Sequence, residues 1–202
     1  MKSPLFPLLL AAVVTILIGV GVWMEPYFAG DVELARALQS AAPNPGWWAT
    51  PVSRLAPAPA KYYVMVIALV LSYVVAGWRG LAITGGFIAL EQYGAEYTKA
   101  IFRRPRPSRE LIAVVGSPSG YTFPSTTITF FAVTFGSLAV LAARRKKAPG
   151  RWLIFAAAAA MLALGCTARV ALGAHWPSDV LLTTVICLSW IWATSRVVLG
   201  RS

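Results

Sequence analysis

Apolar residues in this chain gather into six long runs, and shorter polar segments between them carry most of the charge. The runs cover about Leu5–Met24, Tyr62–Trp78, Gly80–Thr98, Thr126–Ala143, Trp152–Ala168 and Asp179–Leu199. Each is close to the ~20 residues that a helix needs to cross the hydrocarbon core of a bilayer. The pattern predicts an all-α polytopic membrane protein: a six-transmembrane-helix bundle forming one domain over residues 1–202. It shows no internal repeat and no separate soluble domain. Lys2 followed by an apolar run has the outline of a signal peptide. The length of the run and the lack of a small-x-small cleavage pattern instead favour a retained anchor. The third run is interrupted by Glu91, Gln92, Tyr93 and Glu96, which should face the protein interior or a wet cavity, because ionisable groups at membrane depth are costly.

Threading these runs through a bilayer puts Glu25–Lys61, Lys99–Pro124 and Val170–Ser178 on one face. The other face receives both termini, the Trp78-Arg79-Gly80 turn and the Arg144–Arg151 loop. The Lys and Arg residues divide equally, so their count alone does not orient the chain. The undiluted cluster Arg144-Arg145-Lys146-Lys147 marks its face as cytoplasmic, which makes the first face extracytoplasmic. In the first connection, Asp31 can cap a short helix to about Ser40, with Leu34 and Leu38 on one side. Trp47-Trp48 and five prolines between Pro43 and Pro59 argue against further helix and for a segment lying along the membrane interface. A lid over a lipid path is the sharper reading of the same segment.

Composition agrees with the pattern. Hydrophobic residues make up 58% of the chain and charged residues 12%, outside the range of soluble domains. A net charge of +11 would ordinarily suggest nucleic acid. Here the basic residues sit in short loops beside apolar runs, so lipid headgroups are the expected partner and nucleic acid is not. Cys166 and Cys187 lie within apolar runs without metal-ligand spacing, and read as buried thiols.

Three clusters on the extracytoplasmic face carry chemistry. His175, the only histidine, follows Arg169 and precedes Asp179. On a helical turn Asp179 can reach the imidazole, fix its tautomer and strengthen it as a nucleophile. Arg169 can fork onto a phosphate. The segment Lys99-Ala100-Ile101-Phe102-Arg103-Arg104-Pro105-Arg106-Pro107 adds cations, with Arg106 presented between two prolines. Arg103 and Arg104 read as exposed charges at the lipid edge. In Gly120-Tyr121-Thr122-Phe123-Pro124-Ser125-Thr126-Thr127, Pro124-Ser125 starts a helix whose free N–H groups suit an anion.

Together the clusters resemble the type 2 phosphatidic acid phosphatase superfamily of lipid phosphate phosphatases. Its first motif is met by Lys99, Arg106 and Pro107, and its third by Arg169, His175 and Asp179. The second, Pro-Ser-Gly-His in the family, reads Pro124-Ser125-Thr126-Thr127 here. Thr127 thus replaces the histidine that protonates the leaving oxygen, and Thr126 replaces the glycine. A second register, Pro118-Ser119-Gly120-Tyr121, places tyrosine at the histidine position; the first is preferred because Ser125 leads directly into an apolar run.

The resemblance implies a membrane enzyme in which His175 becomes a phosphohistidine, Asp179 orients it, and Lys99, Arg106, Ser125, Thr126 and Arg169 hold the phosphoryl oxygens. No cofactor and no metal are implied. The expected setting is the lipid bilayer of a bacterial inner membrane, with the site on the extracytoplasmic face. Without the histidine, a leaving group that needs no proton is favoured, as in a polyprenyl (undecaprenyl) diphosphate. The alternative is a monoester of the phosphatidic acid or phosphatidylglycerophosphate type, with the acid supplied by Thr127, Tyr121, Glu91 or Glu96. Against that, the two carboxylates could simply pair with Lys99 or another base. A non-catalytic binder or transporter of phosphorylated lipid is the reading from another class.

Overall fold

A computed structural model describes residues 5–148 and 150–200, with the side chains of residues 95 and 96 outside that description. Among the described residues the chain is all helical. The elements are α1 (Phe6–Met24), α2 (Asp31–Ala41), α3 (Gly46–Ser53), α4 (Ala60–Phe102), α5 (Thr126–Phe131), a π-helical turn (Ala132–Gly136), α6 (Ser137–Arg144), α7 (Arg151–Ala171) and α8 (Pro177–Leu199). Among the described residues, five stretches are long and apolar enough to cross a membrane: Phe6–Met24, Ala60–Gly94, Thr126–Arg144, Arg151–Ala171 and Pro177–Leu199.

The longest helix, α4, is not straight. Gly77 interrupts it at φ 63° and ψ −157°, a conformation open to glycine and strained for other residues. Beyond it the chain folds back, so that the Ser72 and Thr84 hydroxyls meet at 2.7 Å. Twelve residues of continuous helix would hold them about 18 Å apart. The turn expected at Trp78-Arg79-Gly80 therefore begins one residue earlier.

Thr126–Arg144 is the central helix. Two thirds of its apolar window (67%) is buried, against 11% for α1 at the periphery. Ile128, Phe130 and Phe131 of α5 pack with Leu162 and Val170 of α7 and with Val180 of α8. The first connection holds more helix than its prolines suggest. Residues Gly46–Ser53 form α3 although Pro51 lies within it. Ala49 of this helix is fully buried among Ala168, Leu172 and Ala174. That packing outweighs the backbone bond a proline cannot make.

The helix α2 is where the sequence places one, but Gly30 and not Asp31 is its N-cap. Asp31 is the first helical residue, and its carboxylate accepts the Phe28 N–H at 2.8 Å instead of capping the helix. The helix is tied to the loops beneath it by Arg36 Nε donating to the Leu111 carbonyl (2.8 Å) and by the Gln39 amide donating to Ala113 (2.7 Å) and Ala171 (3.2 Å). The Val115 N–H donates to the Leu172 carbonyl at 2.9 Å, which joins the loop after α4 to the loop after α7. Gly173 permits this closeness: at φ +64°, a side chain there would meet the Ala113 carbonyl.

Candidate active site

Three loops converge on one buried imidazole. The first follows α4, whose last turn carries Lys99. Arg103 adopts a left-handed conformation and stops that helix, and Pro105 and Pro107 keep the chain from resuming it. The second loop ends at Ser125, the residue before α5. The third runs from Arg169 at the end of α7 to Trp176, which caps α8.

His175 is 1% exposed and lies between two hydroxyls. Its Nε2 is 3.2 Å from Ser125 Oγ, and its Nδ1 is 3.1 Å from Thr122 Oγ1. Thr122 also donates to Asp179 Oδ2 at 2.6 Å. A hydroxyl has one proton to give, and here it goes to the carboxylate. Thr122 must then accept from His175, so Nδ1 carries the ring proton and Nε2 holds the free lone pair. Asp179 was expected to reach the ring itself, yet its nearest oxygen is 3.9 Å from Nδ1. The threonine bridges the gap.

Asp179 is held on every side. Its Oδ2 accepts the Trp176 N–H at 2.9 Å, and its Oδ1 pairs with Arg104 Nη1. Arg104 was expected at the exposed lipid edge, but it is 1% exposed. It also donates to Ser178 Oγ (3.0 Å), approaches Asp31 Oδ2 (3.5 Å) and caps the carbonyls of Glu25 and Pro26. Asp31 in turn accepts the Ser178 N–H at 2.8 Å and its hydroxyl at 2.6 Å. The correction has a plain cause: two carboxylates buried nearby need a cation between them. Arg103 is exposed, and its Nε donates to the nearby Ala100 carbonyl at 3.2 Å.

Three further cations act on the same imidazole. Burial, together with the positive charges of Arg169, Arg106 and Lys99, holds His175 well below the usual imidazole range; a hydrogen bond to Thr122 acts in the opposite sense. The imidazole is therefore neutral at neutral pH. The Arg169 Nε is buried and has no hydrogen-bond partner among the described residues. A buried guanidinium N–H in that condition calls for an acceptor from outside the protein. Arg106 clasps the loops, donating from Nε to the carbonyls of Ser119 (2.9 Å) and Gly120 (3.1 Å) and from Nη1 to that of Ala174. Between the two registers considered for the second motif, it is Ser125 whose hydroxyl meets the imidazole, while Ser119 supplies a carbonyl to Arg106.

Two cavities flank this centre. The polar one, about 420 Å³, is lined by Lys61, Glu91, Gln92, Thr126, Thr127 and Arg169, with Phe130 and the Ser53–Pro57 segment. The apolar one, about 450 Å³, lies among α1, α4, α5 and α8 and includes Phe102, Phe123, Pro124 and Thr183. Glu91 lines both. Its carboxylate pairs with Lys61 Nζ at 3.5 Å and accepts from the Gln92 amide. Tyr121 is 40% exposed and is not among the residues lining either cavity. The side chain of Glu96 lies outside the described residues.

Thr122, Arg104 and Asp31 are the parts of the site that reading the sequence did not single out. Thr122 stands within the Gly120–Thr127 segment, where a hydroxyl between two aromatics has no distinguishing spacing. Arg104 is one of three near-adjacent arginines, and only its distant carboxylate partners set it apart.

The family model described as the PAP2 superfamily matches residues 80–202. Among solved structures, the chain is similar to the crystal structure of the first transmembrane PAP2 type phosphatidylglycerolphosphate phosphatase from Bacillus subtilis. The two are 19% identical, with a TM-score of 0.64, and the alignment covers 96% of this chain and 95% of that one. At that identity the likeness speaks for the fold. No curated protein matches the chain.

Proposed function

The chain belongs to the PAP2 superfamily, and from that premise we propose that it is an integral membrane phosphatase that removes the terminal phosphate of a lipid diphosphate, such as a polyprenyl diphosphate. The observation that carries this reading is the state of His175. It is neutral, protonated on Nδ1 through Thr122, and its Nε2 lone pair lies beside Ser125 and among Lys99, Arg106 and Arg169. Such a nitrogen attacks phosphorus. The new N–P bond forms as the bond to the bridging oxygen breaks, and that oxygen leaves with the electron pair on the lipid monophosphate. Water then attacks the phosphohistidine, the N–P pair returns to Nε2, and inorganic phosphate departs. The three cations and the Ser125 hydroxyl stabilise the spreading charge on the phosphoryl oxygens.

The diphosphate is favoured because Thr127 stands where the family places its proton donor. A leaving phosphate monoester needs little protonation, whereas an alkoxide needs it badly, and losing the acid costs ~10²–10⁴-fold. A monoester substrate is the second reading, and one observation supports it: Glu91 lines the same cavity as Thr127, which makes its carboxyl the candidate relocated donor. With α4 folded back at Gly77, the protein makes six crossings of a bacterial inner membrane. The site then opens on the extracytoplasmic face, under the interfacial helices α2 and α3.

The deciding experiment is phosphate release by the purified protein over a panel of lipid mono- and diphosphates, with His175→Ala as control. A phosphohistidine trapped at His175 together with preference for diphosphates supports the reading. Lipid binding without turnover on any of them would defeat it.

A further inference from the structure

We propose that Lys61 forms a second phosphate subsite beside His175, one that holds the phosphate remaining on the lipid when a diphosphate is cut. The proposal rests on the phosphatase reading above. Lys61 belongs to none of the three motifs. It sits in the first turn of α4, where a lysine near a membrane surface ordinarily extends to water. Its side chain is instead turned inward, 19% exposed, with Nζ 5.5 Å from the Phe130 ring centroid and 3.5 Å from Glu91. It shares the polar cavity with Arg169 and Thr127, so its charge and the Arg169 guanidinium border one space.

The two cavities, one apolar and one polar, offer the two kinds of surface that a lipid diphosphate presents. The apolar cavity suits the chain. Glu91, which lines both cavities, marks the seam where chain gives way to headgroup. Lys61 is paired to Glu91, and Arg169, whose charge acts on His175, lines the same polar cavity. A lipid diphosphate presents chain, first phosphate, terminal phosphate. With its terminal phosphate at Arg169 and Nε2, the subsite holds the first phosphate against Lys61.

Glu91 is the counter-ion that makes an inward-turned, partly buried lysine tolerable while the site is empty. An ammonium has three protons and no acceptor capacity, so pairing with Glu91 leaves protons for a phosphate. On cleavage, negative charge builds on the oxygen that stays with the lipid, next to Lys61. A fixed cation there stabilises the departing monoester directly, with no proton transferred. This fits a site in which Thr127 has replaced a histidine.

The test compares farnesyl diphosphate with farnesyl monophosphate, which share one chain, using the full-length protein in detergent micelles. Within one preparation the ratio of the two kcat/KM values is independent of the folded fraction. Lys61→Gln should lower the diphosphate-to-monophosphate ratio about 10- to 100-fold, the size of one lost charge-assisted contact. Lys61→Arg should keep most of that ratio. If unpaired Glu91 prevents Lys61→Gln from folding, the double variant Lys61→Gln with Glu91→Gln carries the same test. An unchanged ratio overturns the subsite while leaving the phosphatase intact. A wild-type preference for the monophosphate that Glu91→Gln abolishes overturns it too, and assigns Glu91 as the acid. No phosphate from either substrate would instead defeat the phosphatase reading itself.

Discussion

Thr122 donates its hydroxyl proton to Asp179 across 2.6 Å, and through that bond the carboxylate governs an imidazole it does not touch. Because the threonine spends its proton on Asp179, it can only accept from His175 Nδ1, which fixes the tautomer. Thr122→Val keeps the shape and removes the bridge, leaving a buried Nδ1–H and a carboxylate oxygen short of a partner. We expect kcat to fall about 10- to 100-fold, in line with a broken buried network. Thr122→Ser should restore most of it. Steady-state kinetics with trapping of the phosphohistidine checks this; a Val variant with wild-type kcat would mean Asp179 acts on the ring by another route.

The charge around His175 predicts a particular pH profile. The proposed attack requires the neutral imidazole, so activity should disappear as pH falls through its pKa. Burial and the charges of Arg169, Arg106 and Lys99 put that pKa below the ordinary value of about 6.5. The acid limb of kcat/KM should therefore lie below pH 6.5, and Arg169→Gln should move it upward even as the rate drops. The kcat/KM profile reports the free enzyme and is the quantity to measure. A wild-type limb at or above 6.5 would contradict the electrostatics of the site.

Arg104 and Arg103 are neighbours with opposite roles. Arg104 is buried against Asp179, Asp31 and two carbonyls, and its removal leaves two carboxylates with no cation between them. Arg104→Ala should destabilise the protein by about 3–5 kcal/mol, the cost of breaking a buried ion pair from one side. Arg103→Ala removes an exposed charge and should change stability by less than about 1 kcal/mol. Thermal unfolding of both variants in the same detergent separates them.

The contrast shows what was legible in the chain and what was not. Lys99, Arg106, Arg169, His175 and Asp179 stand at fixed spacings near helix ends, where local geometry converts spacing into direction. The helical runs were legible for the same reason, and even the reversal within α4 was placed to within one residue. Arg104 depends on Asp31, which comes from the first connection, and no local pattern reports a contact made across the fold. Thr122 was hidden differently. The sequence suggested that Asp179 could contact His175 directly, and only the packing opens the gap that a hydroxyl fills. The helix α3 was missed because the burial of Ala49 against α7 outweighs a proline penalty that local reading takes at face value.

Arg106 tests whether charge or geometry matters more at this site. Its guanidinium spans the carbonyls of Ser119, Gly120 and Ala174, so it pins the loop before Ser125 to the loop that carries His175. It also contributes positive charge at the imidazole. Arg106→Ala loses both, and turnover should fall nearly as far as in His175→Ala, by at least about 100-fold. Arg106→Lys restores the charge but not the planar fork, because an ammonium on a flexible stem cannot reach three carbonyls from one position. If the clasp is what positions His175, Arg106→Lys remains close to Arg106→Ala in kcat. If charge alone matters, lysine recovers most of the rate. Arg103→Ala, measured beside them, should keep near wild-type kcat; a loss equal to that of Arg106→Ala would place the phosphate on the other side of the first motif.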